Sequence, residues 1–212
     1  LRNIAHDREM GRILVIGAKG MLGRDLVTVL RSSHRTEEVL GWDIDEIDIR
    51  EERSSVAKIE SLRPKMVINV AAYTDVDGCE LNQEKAFAVN AEGVKHIALG
   101  ALECHAKLVY LSTDYIFDGE KREPYLEEDP PRPLSIYGHS KWKGEQYVQE
   151  LVKDALIIRT QWLYGKYGKN FVSSILSQAR EKKELSIVDD QTGSPTYTID
   201  LSKAISALIQ CN

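Results

Sequence analysis

The stretch Arg12-Ile13-Leu14-Val15-Ile16-Gly17-Ala18-Lys19-Gly20-Met21-Leu22-Gly23 decides the fold. Its first five residues are a short, mostly apolar run with β-branched side chains, which reads as a strand buried in a parallel sheet. Three glycines follow at G-x-x-G-x-x-G spacing, and Leu22, Leu26, Val29 and Leu30 then recur at helical intervals. Strand, glycine turn and helix in that order suit a dinucleotide pyrophosphate. Glycines let the backbone approach the phosphates, and the unpaired N–H groups at the helix start face them. The spacing is not the G-x-G-x-x-G of many dehydrogenases, and no G-K-[ST] closes it as in a P-loop. The next strand ends in Val39-Leu40-Gly41-Trp42-Asp43, with Asp43 twenty residues after Gly23, where an acceptor for a ribose 2′-hydroxyl is expected. Lys19 pulls the other way, because an ammonium inside the loop could pair with a 2′-phosphate. Asp43 argues for NAD and Lys19 for NADP, and at this level both stay open.

Outward from this unit the chain alternates strands and helices without internal repeat. Apolar spacing predicts a helix from Ser54 to Leu62, ended by Pro64, and a buried strand from Lys65 to Ala72 that opens into a Tyr73-Thr74-Asp75 loop. Helices are expected over Gln83 to Ala91 and Glu92 to Cys104, and Lys107 to Leu111 is a strand delivering Ser112 and Thr113. The proline- and acid-rich loop Pro124 to Pro133 reads as a flap over a site. A helix then runs to about Leu151, followed by a strand over Ala155 to Arg159. A helix over Phe171 to Lys183, a short strand Leu185 to Val188, and a last helix Asp200 to Ile209 complete the chain. This order predicts a doubly wound parallel sheet with right-handed crossovers, in which ligands bind beyond the strand C-termini. The glycine loop, Asp43, Ala71, Ala72, Thr113 and Trp162 all fall at or just after predicted strand ends, so they converge on one edge.

Composition narrows the class. The 212 residues are 42% hydrophobic and 29% charged, with a net charge of −5. That balance, without a basic run, argues against a nucleic-acid surface. No stretch approaches the ~20 apolar residues of a membrane span. Cys79, Cys104 and Cys211 are an odd, scattered set without C-x-x-C spacing, and read as reduced thiols of a cytoplasmic protein. Leu1 to Glu9 lack the apolar core of a signal peptide and read as an upstream extension.

Within this frame the run Ser135-Ile136-Tyr137-Gly138-His139-Ser140-Lys141 gains weight. On one helix, Tyr137 and Lys141 share a face at i,i+4 spacing. A nearby ammonium favours the phenolate and lowers the tyrosine pKa. A tyrosine tuned this way can donate a proton to a developing alkoxide, as carbonyl reduction by hydride requires.

The chain resembles the extended short-chain dehydrogenase/reductases and, more narrowly, the dTDP-4-dehydrorhamnose reductase family. The matching stretches are Gly17 to Gly23, Asn69 to Asp77, Leu111 to Gly119, Tyr137 to Lys141, Arg159 to Gly165 and Asp190 to Thr196. The resemblance implies NADPH- or NADH-dependent reduction of the C4 ketone of a dTDP-linked deoxysugar, for surface polysaccharide synthesis. Tyr137 would be the general acid, Lys141 would hold the nicotinamide ribose and lower the Tyr137 pKa, and Thr113 would hydrogen-bond the carbonyl. Gly17, Lys19, Gly20, Met21, Leu22, Gly23, Asp43, Asp48, Ile49, Ala71, Ala72 and Tyr73 would contact the cofactor, together with Tyr137 and Lys141. Thr113, Asp114, Tyr115 and Trp162 would line the sugar-nucleotide pocket. Residues 1–10 would be an extension, 11–165 the NAD(P)-binding Rossmann domain, and 166–212 a partial substrate-binding lobe interleaved with it, because family members continue past the length seen here. The resemblance allows a homodimer. Some relatives hold a divalent metal between subunits and Asp25 sits where a ligating acid would, but Mg2+ has no support in the sequence and no metal site is assigned. Two other readings share the fold. A sugar-nucleotide epimerase or dehydratase is one, although dehydratases want an Asp-Glu pair where Asp114-Tyr115 stands. The other is a non-catalytic NADP-binding regulatory subunit, as the β subunit of methionine adenosyltransferase resembles, which the presence of both Tyr137 and Lys141 disfavours.

Overall fold

The computed structural model describes residues 10–211, and the reading of Leu1 to Glu9 as an extension lies outside the described residues. Five parallel strands form the sheet in the order β2-β1-β3-β4-β5. They are β1 (Arg12–Ile16), β2 (Glu38–Trp42), β3 (Met66–Asn69), β4 (Lys107–Thr113) and β5 (Leu156–Thr160). The period-2 alternation of β1 shows why both faces must be covered. Leu14 and Ile16 point into one layer with α2 (Glu52–Leu62), α5 (Gly93–Glu103) and α6 (Ile136–Leu151). Ile13 and Val15 point into the other with α1 (Met21–Ser33) and α8 (Thr198–Cys211). All four side chains are essentially inaccessible, which is why the strand reads as a continuous apolar run rather than an alternating one.

Two departures from the expected elements matter for the site. The predicted helix pair over 83–104 is one helical run, α4 (Gln83–Phe87) continuing through a π turn, Ala88–Glu92, into α5. The π turn is a local widening that single-residue periodicity cannot show, and such turns concentrate at functional places. A short helix, α3 (Val76–Leu81), precedes it, capped by the Asp75 carboxylate, which accepts from Gly78 N at 3.0 Å. Near the end of the chain, the predicted strand Leu185 to Val188 does not form. Ile187 and Val188 are exposed there, and no neighbouring strand offers a ladder. The strand pair that does form is β6 (Leu163–Tyr164) with β7 (Thr196–Tyr197), parallel and two residues long. It is too short for a pattern to announce. Between them lies α7 (Phe171–Glu181), which buries no residue.

Asp25 is buried in α1, where its Oδ2 accepts a 2.6 Å hydrogen bond from the Thr198 hydroxyl. It ties α1 to α8, a structural use for the acid. Among the described residues no helix is long and apolar enough to cross a membrane, and no group of three or more His, Cys, Asp or Glu is arranged to hold a metal ion.

The strand order places the reversal of winding between β1 and β3, since β2 lies to one side of β1 and β3, β4 and β5 to the other. The crevice outside the carboxyl ends of those two strands is where such sheets bind ligands.

Candidate active site

That crevice is built by the glycine loop. Gly17 has φ +90°, and a Cβ there would lie 2.6 Å from Ala71 N, so only glycine lets the end of β1 meet the end of β3. Helix α1 starts at Gly20 with no side-chain cap and no acid in its first turn. Its leading N–H groups, around Met21, Leu22 and Gly23, are therefore left for an anion. A cavity of about 290 Å³ follows, lined by Gly17, Asp43, Asp48, Ile49, Ala71 and Ala72, with Ile44, Arg50, Lys85 and Val89 also in its wall. A larger, open groove of about 960 Å³ lies against β2 and α2, but none of the candidate site residues lines it. The smaller one is the cavity into which the glycine turn opens.

The contest between Asp43 and Lys19 takes a specific form. Asp43 Oδ2 accepts from Lys19 N at 2.8 Å and Oδ1 from Ile44 N at 2.9 Å, so the carboxylate is fixed by two backbone donors. The Lys19 ammonium pairs with Asp45 instead of standing free. Both partners are largely exposed, so this pair is weak and exchangeable. Asp48 is clasped by Arg50, through Nε at 2.9 Å and Nη2 at 2.6 Å, which holds its carboxyl below the usual range.

Two buried residues that the sequence reading missed hold these walls. Asn90, in the π turn, accepts from Tyr73 N at 2.8 Å and donates to Tyr73 O at 2.9 Å and to Ser140 Oγ at 3.1 Å. It thereby fixes the Ala71-Ala72-Tyr73 loop to α6. His96 Nδ1 lies 2.8 Å from Ile49 O and holds the opposite wall. Both look like ordinary helix residues in sequence, since their partners are 17 and 47 positions away.

Helix α6 carries Tyr137 and Lys141. Its start is fixed by Ser135, whose Oγ accepts from Gly138 N at 3.1 Å. Gly138 lets the helix press on the segment after β4: a Cβ there would stand 2.2 Å from Tyr115 O. The tyrosine rings of 115 and 137 meet edge to face, 5.4 Å apart at 77°. Thr113, at the end of β4, donates to Asp114 Oδ1 at 3.1 Å and accepts from Tyr115 N at 3.2 Å. The expected lowering of the Tyr137 pKa by Lys141 is not what this arrangement does. Burial pushes the Tyr137 phenol up to about 12, and the group that pulls it down is the Thr113 hydroxyl. Lys141 is fully buried, which brings its amine down to about 7. Its Nζ donates to Leu111 O at 2.7 Å and lies 4.2 Å from the Tyr110 ring centroid. The amine is thus anchored to β4 where β3 has left the sheet.

On the far side, Trp162 adopts a left-handed backbone with φ +45° and is 39% exposed. Such a conformation in a bulky residue costs energy and persists only where its surroundings impose it. Gly193 packs tightly against its indole: a Cβ there would lie 3.1 Å from two ring carbons and 2.6 Å from the Gln161 side chain. The Gln161 amide donates to Asp114 Oδ2 at 2.9 Å and accepts from Ser194 N at 3.0 Å, joining the 190–196 segment to the Thr113-Asp114 corner. Burial raises the Asp114 pKa. The 124–133 loop connects to β5 through Arg159, whose Nη1 donates to Glu127 O at 3.0 Å.

The geometry has counterparts in known proteins. The family described as RmlD substrate binding domain matches residues 11–212. The dTDP-4-dehydrorhamnose reductase of Aggregatibacter actinomycetemcomitans is 42% identical over 201 residues, 95% of this chain and 67% of that protein. The dTDP-4-keto-6-deoxy-D-glucose reductase of Streptomyces niveus is 40% identical, covering 94% of this chain and 69% of that one. The solved structure of the dTDP-4-dehydrorhamnose reductase of Bacillus anthracis in complex with NADP matches with a TM-score of 0.90 at 41% identity, over 94% of this chain and 71% of that one. The chain therefore spans 67–71% of the length of these relatives.

Proposed function

This chain belongs to the RmlD substrate binding domain family, and on that premise we propose that it is an NADPH- or NADH-dependent reductase of the C4 ketone of dTDP-4-dehydro-L-rhamnose, yielding dTDP-L-rhamnose. The observation that carries the reading is the burial of Tyr137 and Lys141 on one face of α6, with the Lys141 Nζ bonded to Leu111 O on the strand that ends in Thr113 and the Tyr137 ring against Tyr115 just beyond it.

The cofactor's residues are the glycine loop Gly17, Lys19, Gly20, Met21, Leu22 and Gly23, the wall formed by Asp43, Asp48, Ile49, Ala71, Ala72 and Tyr73, and Lys141 at the ribose. The bound nicotinamide supplies the hydride. Tyr137 gives its proton to the C4 oxygen as charge develops there. A phenol held up to about 12 is fully protonated at neutral pH, so the acid is always loaded. Thr113 supplies a hydrogen bond to the same oxygen, a one-donor version of oxyanion stabilisation. Asp114, Tyr115 and Trp162 line the sugar-nucleotide side, with Trp162 held open by its imposed backbone. Residues 11–165 act as the cofactor domain and 166–212 as part of the sugar lobe. A cytoplasmic homodimer fits the reading, and the free thiols of Cys79, Cys104 and Cys211 suit a reducing compartment.

The test is direct. Mixing the protein with NADH or NADPH and dTDP-4-dehydro-L-rhamnose should deplete the reduced cofactor's absorbance in proportion to the sugar added. Cofactor binding without sugar-dependent oxidation, in a chain of the relatives' full length, would sink the reductase reading. A second expectation concerns cofactor choice. Because Asp43 is pinned by two backbone N–H groups, its charge cannot turn away from a ribose 2′-phosphate. Asp43→Ser should therefore raise the affinity for NADPH relative to NADH by at least about fivefold, the ~1 kcal/mol that two like charges ~4 Å apart cost even in bulk water. Fluorescence titration of both cofactors reads the ratio, and an unchanged ratio would place the discrimination elsewhere.

A further inference from the structure

Helix α6 buries more than its tyrosine and lysine. One turn beyond Lys141, on the same face, lies Glu145, only 1% exposed. A carboxylate is almost never buried to this degree unless it is paired. Its partner comes from β5: Arg159 Nε donates to Glu145 Oε1 at 3.1 Å and Nη2 to Oε2 at 2.8 Å, a two-pronged clasp. Arg159 is itself held from two sides, by Glu127 O at 3.0 Å and by the Phe117 ring, whose centroid lies 5.3 Å from the guanidinium carbon. The carboxylate is thus locked in the interior of the helix that carries the reactive pair. One turn away is the buried Lys141, whose Nζ, among the described residues, donates to the Leu111 carbonyl and lies over the Tyr110 ring rather than against a carboxylate.

We propose that Glu145, clasped by Arg159 one helical turn from Lys141 on the buried face of α6, is a positioning residue for the reduction: its negative charge favours the charged form of the Lys141 side chain that would face the cofactor ribose. The ribose half of this statement rests on the function proposed above; the electrostatic half does not. The titratable groups packed around Lys141 and its neighbour are Tyr137 and Glu145 on α6, Tyr110 on β4, Asp114 and Tyr115 just beyond β4, Cys79 on α3, and Arg159 on β5 behind Glu145. Burial drives the Lys141 amine toward the neutral form, and Glu145 is the neighbour that opposes it. Their i,i+4 spacing on α6 puts the two side chains on one face of the helix, where a fixed opposite charge favours the charged form of its neighbour. Without Glu145 burial would act on the amine with no carboxylate opposing it, and the share of Lys141 able to offer a charged hydrogen bond would fall.

The experiment follows the Lys141 Cε resonance through pH in protein labelled with [ε-13C]lysine, assigned by its loss in Lys141→Met. Glu145→Gln should lower the titration midpoint by about one pH unit or more. Glu145→Asp should hold it near the starting value. Glu145→Gln leaves the Arg159 guanidinium without its anion and could unfold the chain. Glu145→Gln/Arg159→Gln removes both charges and keeps two amides able to bond each other, and its midpoint should fall in the same direction. An unchanged midpoint in the folded variants overturns the proposal. The second readout is the pH profile of sugar reduction, whose alkaline fall should move down with the NMR midpoint. A shifted midpoint in a protein that reduces no sugar would leave the counter-charge standing and remove the reductase reading. A folded Glu145→Gln protein with a normal midpoint and a normal profile would remove the counter-charge alone.

Discussion

Tyr137→Phe is expected to lower kcat by a factor of about 10²–10⁴, the usual contribution of a positioned general acid. Cofactor affinity should stay within about twofold, and the melting temperature should hardly change, for physical reasons visible in the packing. The ring of residue 137 is buried among Cys79, Ala86, Tyr73 and Tyr115, and phenylalanine keeps all of that contact. The lost hydroxyl strands little, because Thr113 still donates to Asp114 and still accepts from Tyr115 N. A single-turnover measurement with saturating cofactor separates these effects. Loss confined to KM would show that the phenol binds sugar without transferring a proton. Wild-type turnover in Tyr137→Phe would remove the residue from the chemistry. The phenol is raised by burial and relieved by Thr113, not lowered by Lys141, so Thr113→Val should depress turnover even though Lys141 is untouched.

Gly23→Ala is expected to abolish cofactor binding at ordinary concentrations and to destabilise the chain by about 1–3 kcal/mol, the range for forcing a methyl into a packed site. A Cβ at this position would stand 2.1 Å from Gly17 O, 2.8 Å from Ala18 Cα and 2.9 Å from Ala18 C. All three are backbone atoms, so no flexible side chain can give way. Either α1 moves back from β1 or the loop flattens. Both moves displace Gly17, whose own conformation lets β1 and β3 end side by side. Affinity should fall by more than tenfold for NADH and NADPH alike, because the shared pyrophosphate cradle is what changes. Titration by fluorescence together with a thermal melt checks both parts. A stable Gly23→Ala protein with undiminished affinity would show that the third glycine is dispensable, and that the loop does not grip the cofactor here.

Much of this was legible in the residues. The strand Arg12–Ile16 and the helix Ile136–Leu151 stand where apolar spacing, Ser135 and the neighbouring turns put them. The doubly wound sheet follows from alternation of element types, since apolar strands need helices on both faces. The family itself is carried by short motifs that lie at strand ends. Local pattern fails to predict an element where the deciding contact is distant. The π turn at Ala88–Glu92 places Asn90 against Tyr73 and Ser140, and no local pattern contains those partners. The expected strand Leu185 to Val188 has β-branched, apolar composition yet no ladder to join, whereas Thr196–Tyr197 pairs because Leu163–Tyr164 lies beside it.

The site divides the same way. Which side chains are present — a phenol, an amine one helical turn on, a threonine at a strand end, three glycines in a turn — is a property of the sequence, because each works through its residue type and short-range spacing. What those groups are at neutral pH belongs to the tertiary structure alone. Burial lifts Tyr137 and lowers Lys141, Thr113 reaches Tyr137 across 24 residues, and Arg159 crosses from β5 to fix the carboxylate next to Lys141. Desolvation and Coulomb interaction depend on distance in space and on excluded water, and neither quantity exists until the sheet has closed its helices around these groups.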